Sequence, residues 1–238
     1  MDIKALQLAA RFSLPPNSLG YCGSDSAPAK LIKCVTDGVY DGVEEELSKF
    51  IVLNPYLKTI SQIIDQPIFS YPVIEAYCLG NNELKKAKIE HYGLLLDNFS
   101  AQGVPSWLVE ELKLTPPNVF IPFHLFQVLH VGVGRASGSV PYNIETINNC
   151  MIRWGRVQKI TGDEVVVKLK SLRDIRIKYE LTNLLSTITT GTKLVPQVKV
   201  GNVIAVHWNQ IIKTLEPREE QNLAFWTNQV LINQRPKP

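Results

Sequence analysis

The chain has no paired cysteines of the kind that build a zinc ribbon or finger. Its four cysteines, Cys22, Cys34, Cys78 and Cys150, form no C-x-x-C motif, so a structural zinc knuckle is not expected. It also lacks a hydrophobic run long enough to cross a bilayer. The most apolar stretch, residues 119–134, is interrupted by Pro122, His124, Gln127 and His130. No apolar leader precedes Pro15. Together with unpaired thiols this points to a reducing, cytoplasmic setting with no membrane role. There is no G-x-S-x-G, no H-E-x-x-H, and no dinucleotide or phosphate-loop fingerprint. Gly132-x-Gly134 and Gly138 do not make one. No catalytic residue set and no nucleotide cofactor is therefore expected. Net charge is only +3, too little to argue for nucleic acid by itself.

What the chain does have is an ordinary globular balance, 45% apolar and 20% charged. Its length allows a sizeable core without staples. Charge divides unevenly: residues 1–140 hold 11 Lys/Arg against 14 Asp/Glu, and residues 141–238 hold 14 against 8. That asymmetry suggests two units with different surfaces.

The front unit, 1–140, reads as mostly helical. Ile3 to Phe12 has helical spacing and is expected to stop at Pro15-Pro16. Asn54-Pro55 opens another helix ending near Asp65. Glu83 to Leu96 reads as one amphipathic helix, and residues 119–133 read as β-like. The back unit, 145–238, reads as strands. Residues 151–169 form a hairpin about Gly162-Asp163. Ile175, Ile177 and Tyr179 alternate with charged residues, and Val198 to Trp208 forms another strand. A helix with Leu223, Trp226 and Val230 on one stripe follows Glu216-Pro217. About five strands and a closing helix suggest a small OB-type β-barrel. The expected class is thus α+β, a helical domain followed by a barrel with a C-terminal helix.

Three candidate residues lie in the front unit. Cys22 sits in the turn-rich loop Leu19-Gly20-Tyr21-Cys22-Gly23, where a thiol is accessible. It could be a metal-binding or relay thiol, the nucleophile of a thiol-dependent enzyme, or only part of a tight turn. His124 and His130 are six apart, which on a strand puts both on one face. They are a possible ligand pair or simply core histidines. A basic strand surface of Arg173, Arg176 and Lys178, with Lys168 and Lys170, keeps open an OB-type nucleic-acid reading. The stacking aromatics that reading needs are thin.

The back unit then carries an ordered set of short motifs. Cys150 is followed after four residues by Gly155-Arg156-Val157, then by the Gly162-Asp163 turn and a Val-rich strand. Val200-Gly201 leads through four residues to Val206-His207, and Leu215-Glu216-Pro217-Arg218-Glu219 leads into the helix. Residues 150–233 resemble the HypC/HupF family of [NiFe]-hydrogenase maturation chaperones. The whole chain looks like a fused, hydrogenase-associated group, with Pro15-Pro16-Asn17-x-Leu19-Gly20-Tyr21-Cys22-Gly23 as its front hallmark. The resemblance implies a non-enzymatic assembly chaperone. It would carry iron transiently, with carbonyl and cyanide ligands. Its partners would be a maturation scaffold and a hydrogenase large-subunit precursor. It implies metal-ligand roles for Cys150 and His207 and for no other residue; separately, the surrounding Arg153, Trp154, Gly155 and Trp208 are expected to contact a partner. Thiolate plus imidazole suits such an iron, and Arg153 and Arg156 are expected to favour the thiolate. Two departures stand out: Cys150 is internal, with no terminal amine, and Trp154 replaces the family's proline. Without the resemblance, Cys150 is a small core residue at a strand start and His207 a packed histidine.

Overall fold

The computed structural model describes residues 1–175, 178–189 and 198–233. Its helices are α1 (Ile3–Ser18), α2 (Ala27–Thr36), α3 (Val43–Ser48), α4 (Leu53–Ile64), α5 (Tyr71–Cys78), α6 (Tyr92–Gln102), α7 (Ser106–Leu114), α8 (His124–Phe126), α9 (Ile144–Cys150) and α10 (Pro217–Asn233). The strands are β1 (Arg153–Thr161), β2 (Glu164–Ile175), β3 (Lys178–Thr189), β4 (Val203–His207) and β5 (Gln210–Thr214). The expected strand alternation at Arg176 and Ile177 lies outside the described residues. No helix among the described residues is long and apolar enough to cross a membrane.

Three local expectations are corrected. First, Pro15 and Pro16 lie inside α1 rather than ending it. They sit in its last turns, where a missing N–H releases a carbonyl one turn back instead of breaking the helix. Second, Glu83 to Leu96 is not one helix. Two 3₁₀ turns, Asn82–Lys86 and Ile89–His91, precede α6, because Ala87 and Lys88 adopt extended dihedrals between them. Third, residues 119–133 are not β-like. His124–Phe126 is an α-turn that runs into a π-helical turn, Gln127–Gly132. Residues 120–133 are buried throughout. A continuous apolar run carries no period to separate a buried strand from a buried helix.

The strands form one antiparallel sheet in the order β3-β2-β1-β4-β5. It is an open sheet, not the expected closed barrel. The β2–β3 hairpin pairs along twelve residues each, while β4 and β5 have five residues each. β5 packs against α1, and it approaches β3 to within 8 Å between Cα atoms without pairing to it. β1 and β2 are tied closely, since a Cβ on Gly155 would lie 2.0 Å from the Lys168 carbonyl oxygen.

Strand alternation divides the sheet's residues between two cores. Val157, Val165, Val167, Leu169, Ile204, Val206 and Ile211 make a small core within the curled sheet. Trp154, Val203 and Ala205 face the other way and join a core continuous with α1 through α9. The helical and strand parts therefore share one apolar interior across the expected boundary at 135–145. By the same alternation His207, two residues beyond Ala205, faces the helices.

Candidate metal centre

His124, Cys150 and His207 meet where the helices cover the sheet. Their ligand atoms all lie within 4.8 Å of one another, and all three residues are buried. Cys150 Sγ is 3.9 Å from His124 Nε2, and the two imidazole centroids are 5.3 Å apart. Each side chain arrives from a different element. His124 opens α8, Cys150 closes α9, and His207 ends β4 before the two-residue turn Trp208-Asn209. Both turn residues have positive φ, 47° and 58°. That is the two-residue hairpin geometry, which Asn209 tolerates and a tryptophan rarely adopts.

Proline chemistry orients His207. In a regular helix the Phe12 carbonyl would accept from the N–H of residue 16, but Pro16 has none. His207 Nδ1 instead donates to Phe12 O at 2.8 Å. A carbonyl can only accept, so Nδ1 holds the proton and Nε2 presents a lone pair. That Nε2 is buried and makes no hydrogen bond of ordinary length. Phe12 stacks on the His207 ring at 4.7 Å and meets His124 edge-on at 4.6 Å.

His124 is held differently. Its Nε2 donates to Cys150 O at 2.7 Å, a carbonyl freed by the end of α9. Its Nδ1 then accepts from the Tyr77 hydroxyl at 3.0 Å. Tyr77 also lies 3.5 Å from Gln127 Oε1. If Nε2 gives up its proton to bind a metal, Nδ1–H can donate to Tyr77 while Tyr77 donates to Gln127. This is the outer-shell support that metal-binding imidazoles use.

A cavity of about 70 Å³ opens beside these groups, lined by Phe12, Ser13, Cys22, Cys150, His207 and Trp208 among others. One water needs about 10–15 Å³, so the space accepts an ion with small ligands. Metal–sulfur and metal–nitrogen bonds of about 2.3 and 2.1 Å put two donors on one ion at most about 4.4 Å apart. That is the linear limit; in a tetrahedral site the same bonds place donors about 3.4–3.6 Å apart, so the widest separation here, up to 4.8 Å, closes by about 1 Å on binding. The donor set, two imidazoles and a thiol, fits a borderline transition metal.

The resting centre is uncharged. Burial lowers His124 to about 4, with the Cys150 carbonyl opposing. Burial, with His124 next, lowers His207 well below its ordinary value. Burial raises Cys150 well above its ordinary range, as does Cys22, while the Trp208 side chain opposes the rise. Trp208 Nε1 makes no hydrogen bond of its own, so the indole N–H is available to a thiolate. Metal binding must then release the thiol proton.

The other sequence candidates fall as follows. Cys22 lines the same cavity from the loop after α1. The residue meets solvent, yet the protein around its thiol raises it by burial to about 11. His130 lies apart, with Nε2 2.9 Å from the Tyr92 hydroxyl and its ring against Phe126. Of the two readings of His124 and His130, the ligand pair is not formed, because the helical turn replaces the strand that would have aligned them, and His130 is a buried core histidine. Arg153, Trp154 and Gly155 are buried and offer no surface to a partner in this structure. Trp208 lies against Tyr21 with centroids 4.7 Å apart. The arginines expected to favour the Cys150 thiolate are engaged elsewhere. Arg153 bonds Asn209 Oδ1, and Arg156 bonds Gly201 O.

Sequence reading singled out His124 but paired it with the wrong histidine, and it missed Tyr77 and Trp208 Nε1 as supporting groups. The one signal it could have used is Pro16, which leaves a carbonyl open in α1.

Glu46 anchors the segment that follows Cys22. Its carboxylate accepts from Ser24 Oγ at 2.7 Å, Ser26 Oγ at 3.0 Å and Lys30 Nζ at 2.9 Å. The Lys30 bond, then Ser24, holds it down to about 2. Glu46→Ala is expected to lower stability by about 2 kcal/mol and to speed alkylation of Cys22. Urea melts and thiol-labelling rates check both, and an unchanged labelling rate would show that Glu46 does not steady this loop.

One family model matches the chain, over residues 2–237, and it describes a family of unknown function, DUF6390. No curated protein matches, and no solved structure matches.

Proposed function

The chain belongs to the DUF6390 family, and we propose that it is a metal-handling assembly chaperone. Its cargo is an iron ion held by His124, Cys150 and His207. One observation carries this reading. Three donor atoms, brought from positions spread over 84 residues of sequence, converge within 4.8 Å in a buried pocket, and one of them, His207 Nε2, makes no hydrogen bond of ordinary length. A buried polar atom without a partner costs free energy, and a bound ion would satisfy it. Thiolate and imidazole together suit iron carrying strong-field ligands. The likeness of residues 150–233 to the HypC/HupF chaperones supports iron as cargo. It also supports a hydrogenase large-subunit precursor and a maturation scaffold as partners.

A thiol-dependent enzyme built on Cys22 is less well supported, because that chemistry needs a lowered thiol pKa and burial raises this one. The nucleic-acid reading rested on a barrel that the open sheet does not form.

The test is anaerobic purification after co-expression with hydrogenase maturation proteins. Wild type is expected to carry about one iron per chain with infrared bands of metal-bound carbonyl and cyanide. Cys150→Ala and His207→Gln are expected to lose both. Iron and bands unchanged in both variants would overturn the site, and a wild type that takes up no metal would overturn the function.

A further inference from the structure

We infer, resting on the metal reading above, that Cys22 is a second thiolate of the same centre, placed at its mouth, through which the ion enters and leaves. The three buried residues supply three donors, and a tetrahedral ion needs a fourth. Cys22 lines the same cavity as Cys150, His207 and Trp208. His124, Cys150 and His207 are 4%, 6% and 1% exposed, whereas Cys22 is exposed. Of these four residues only Cys22 meets solvent, with its thiol turned toward protein. His207 Nε2, buried in the wall of the cavity that Cys22 lines and without a hydrogen bond of ordinary length, marks that cavity as made for a ligand.

Cys22 stands outside the 4.8 Å donor group, so on binding its thiol turns inward to complete the shell while the surrounding loop stays at the cavity rim. Asn17 Nδ2 donates to Cys22 O at 2.7 Å and to Ser24 O at 3.0 Å. Tyr21 packs on Trp208, and its carbonyl accepts from Ser139 Oγ at 3.1 Å. Gly23 has φ +81°, and a Cβ there would lie 2.5 Å from the Phe50 ring. The loop is thus fixed against the cavity on both sides of Cys22. Binding replaces S–H by S–metal and releases one proton to solvent. Hand-over is ligand substitution: an incoming thiolate of the client takes the place of Cys22, and no electrons change hands.

Anaerobic Co²⁺ titration of the full chain tests this. Wild type is expected to bind one ion with a sulfur-to-cobalt charge-transfer band of two thiolates. Cys22→Ser, a near-isosteric change at an exposed position, is expected to keep one ion, lose roughly half the band and bind at least about tenfold more weakly. Bound Co²⁺ is also expected to protect Cys22 from iodoacetamide, read by mass spectrometry. A wild-type band identical to that of Cys22→Ser, or alkylation of Cys22 unaffected by bound Co²⁺, would overturn this inference and leave the three-residue centre standing. A wild type that binds no Co²⁺ would overturn both.

Discussion

Between pH 6.5 and about 4 the protein is expected to lose on the order of 3 kcal/mol of stability through His124 alone. His124 is neutral in the folded protein because burial holds it at about 4. In the unfolded chain it titrates near 6.5. The unfolded state therefore binds the extra proton across that window, and stability falls as pH falls. Above about 6.5 the contribution is fully present, and below about 4 it changes no further. His207, lowered in the same direction by burial and by His124, adds to the loss. Glu46 acts in a different range. Its depressed pKa contributes above 4.5 and is lost as pH falls toward about 2. Urea melts from pH 7.5 to 3 separate the two. His124→Gln should make the upper loss shallower, leaving the share of His207, and should leave the lower one unchanged. Saturating metal should move the upper loss to lower pH, because a ligated imidazole does not protonate. Stability that stays level from pH 6.5 to 4 would mean these histidines are not buried in the neutral form.

Trp226→Ala is expected to cost about 3–5 kcal/mol. Trp226 is 6% exposed on α10 and lies over Gly80 just beyond α5. Gly80 has φ +79°, and a Cβ there would sit 2.4 Å from the indole Cδ1. α10 also packs on α8, which carries His124, so the variant should weaken metal binding as well as folding. Gly80→Ala should destabilise wild type through both the clash and the left-handed backbone. In a Trp226→Ala background it should cost less, because only the backbone strain remains. Strictly additive losses would show that the two sites do not touch. Chemical denaturation of the two single variants and the double variant decides it.

The sheet was legible where local signals are strong. Gly162-Asp163 between Val-rich runs marks a hairpin, and the structure pairs Thr161 with Glu164 across it. The stripe of Leu223, Trp226 and Val230 marks α10, and all three are buried. The stretch at 119–133 failed because an unbroken apolar run has no period. Pro15-Pro16 misled because proline is tolerated when the carbonyl it frees finds another donor. Closure of the sheet was not readable either, since no local pattern says whether two edge strands will pair.

Composition, periodicity and turn chemistry determined the class, most helices and the hairpin, while the metal roles of Cys150 and His207 were expected only from the family resemblance. Only the tertiary structure decided that His124, rather than His130, joins Cys150 and His207. The physical reason is that donors on a helix start, a helix end and a strand end are brought within bonding range by the packing of α1 and α8 on the sheet. That packing depends on a shared core and on a single carbonyl that Pro16 leaves open.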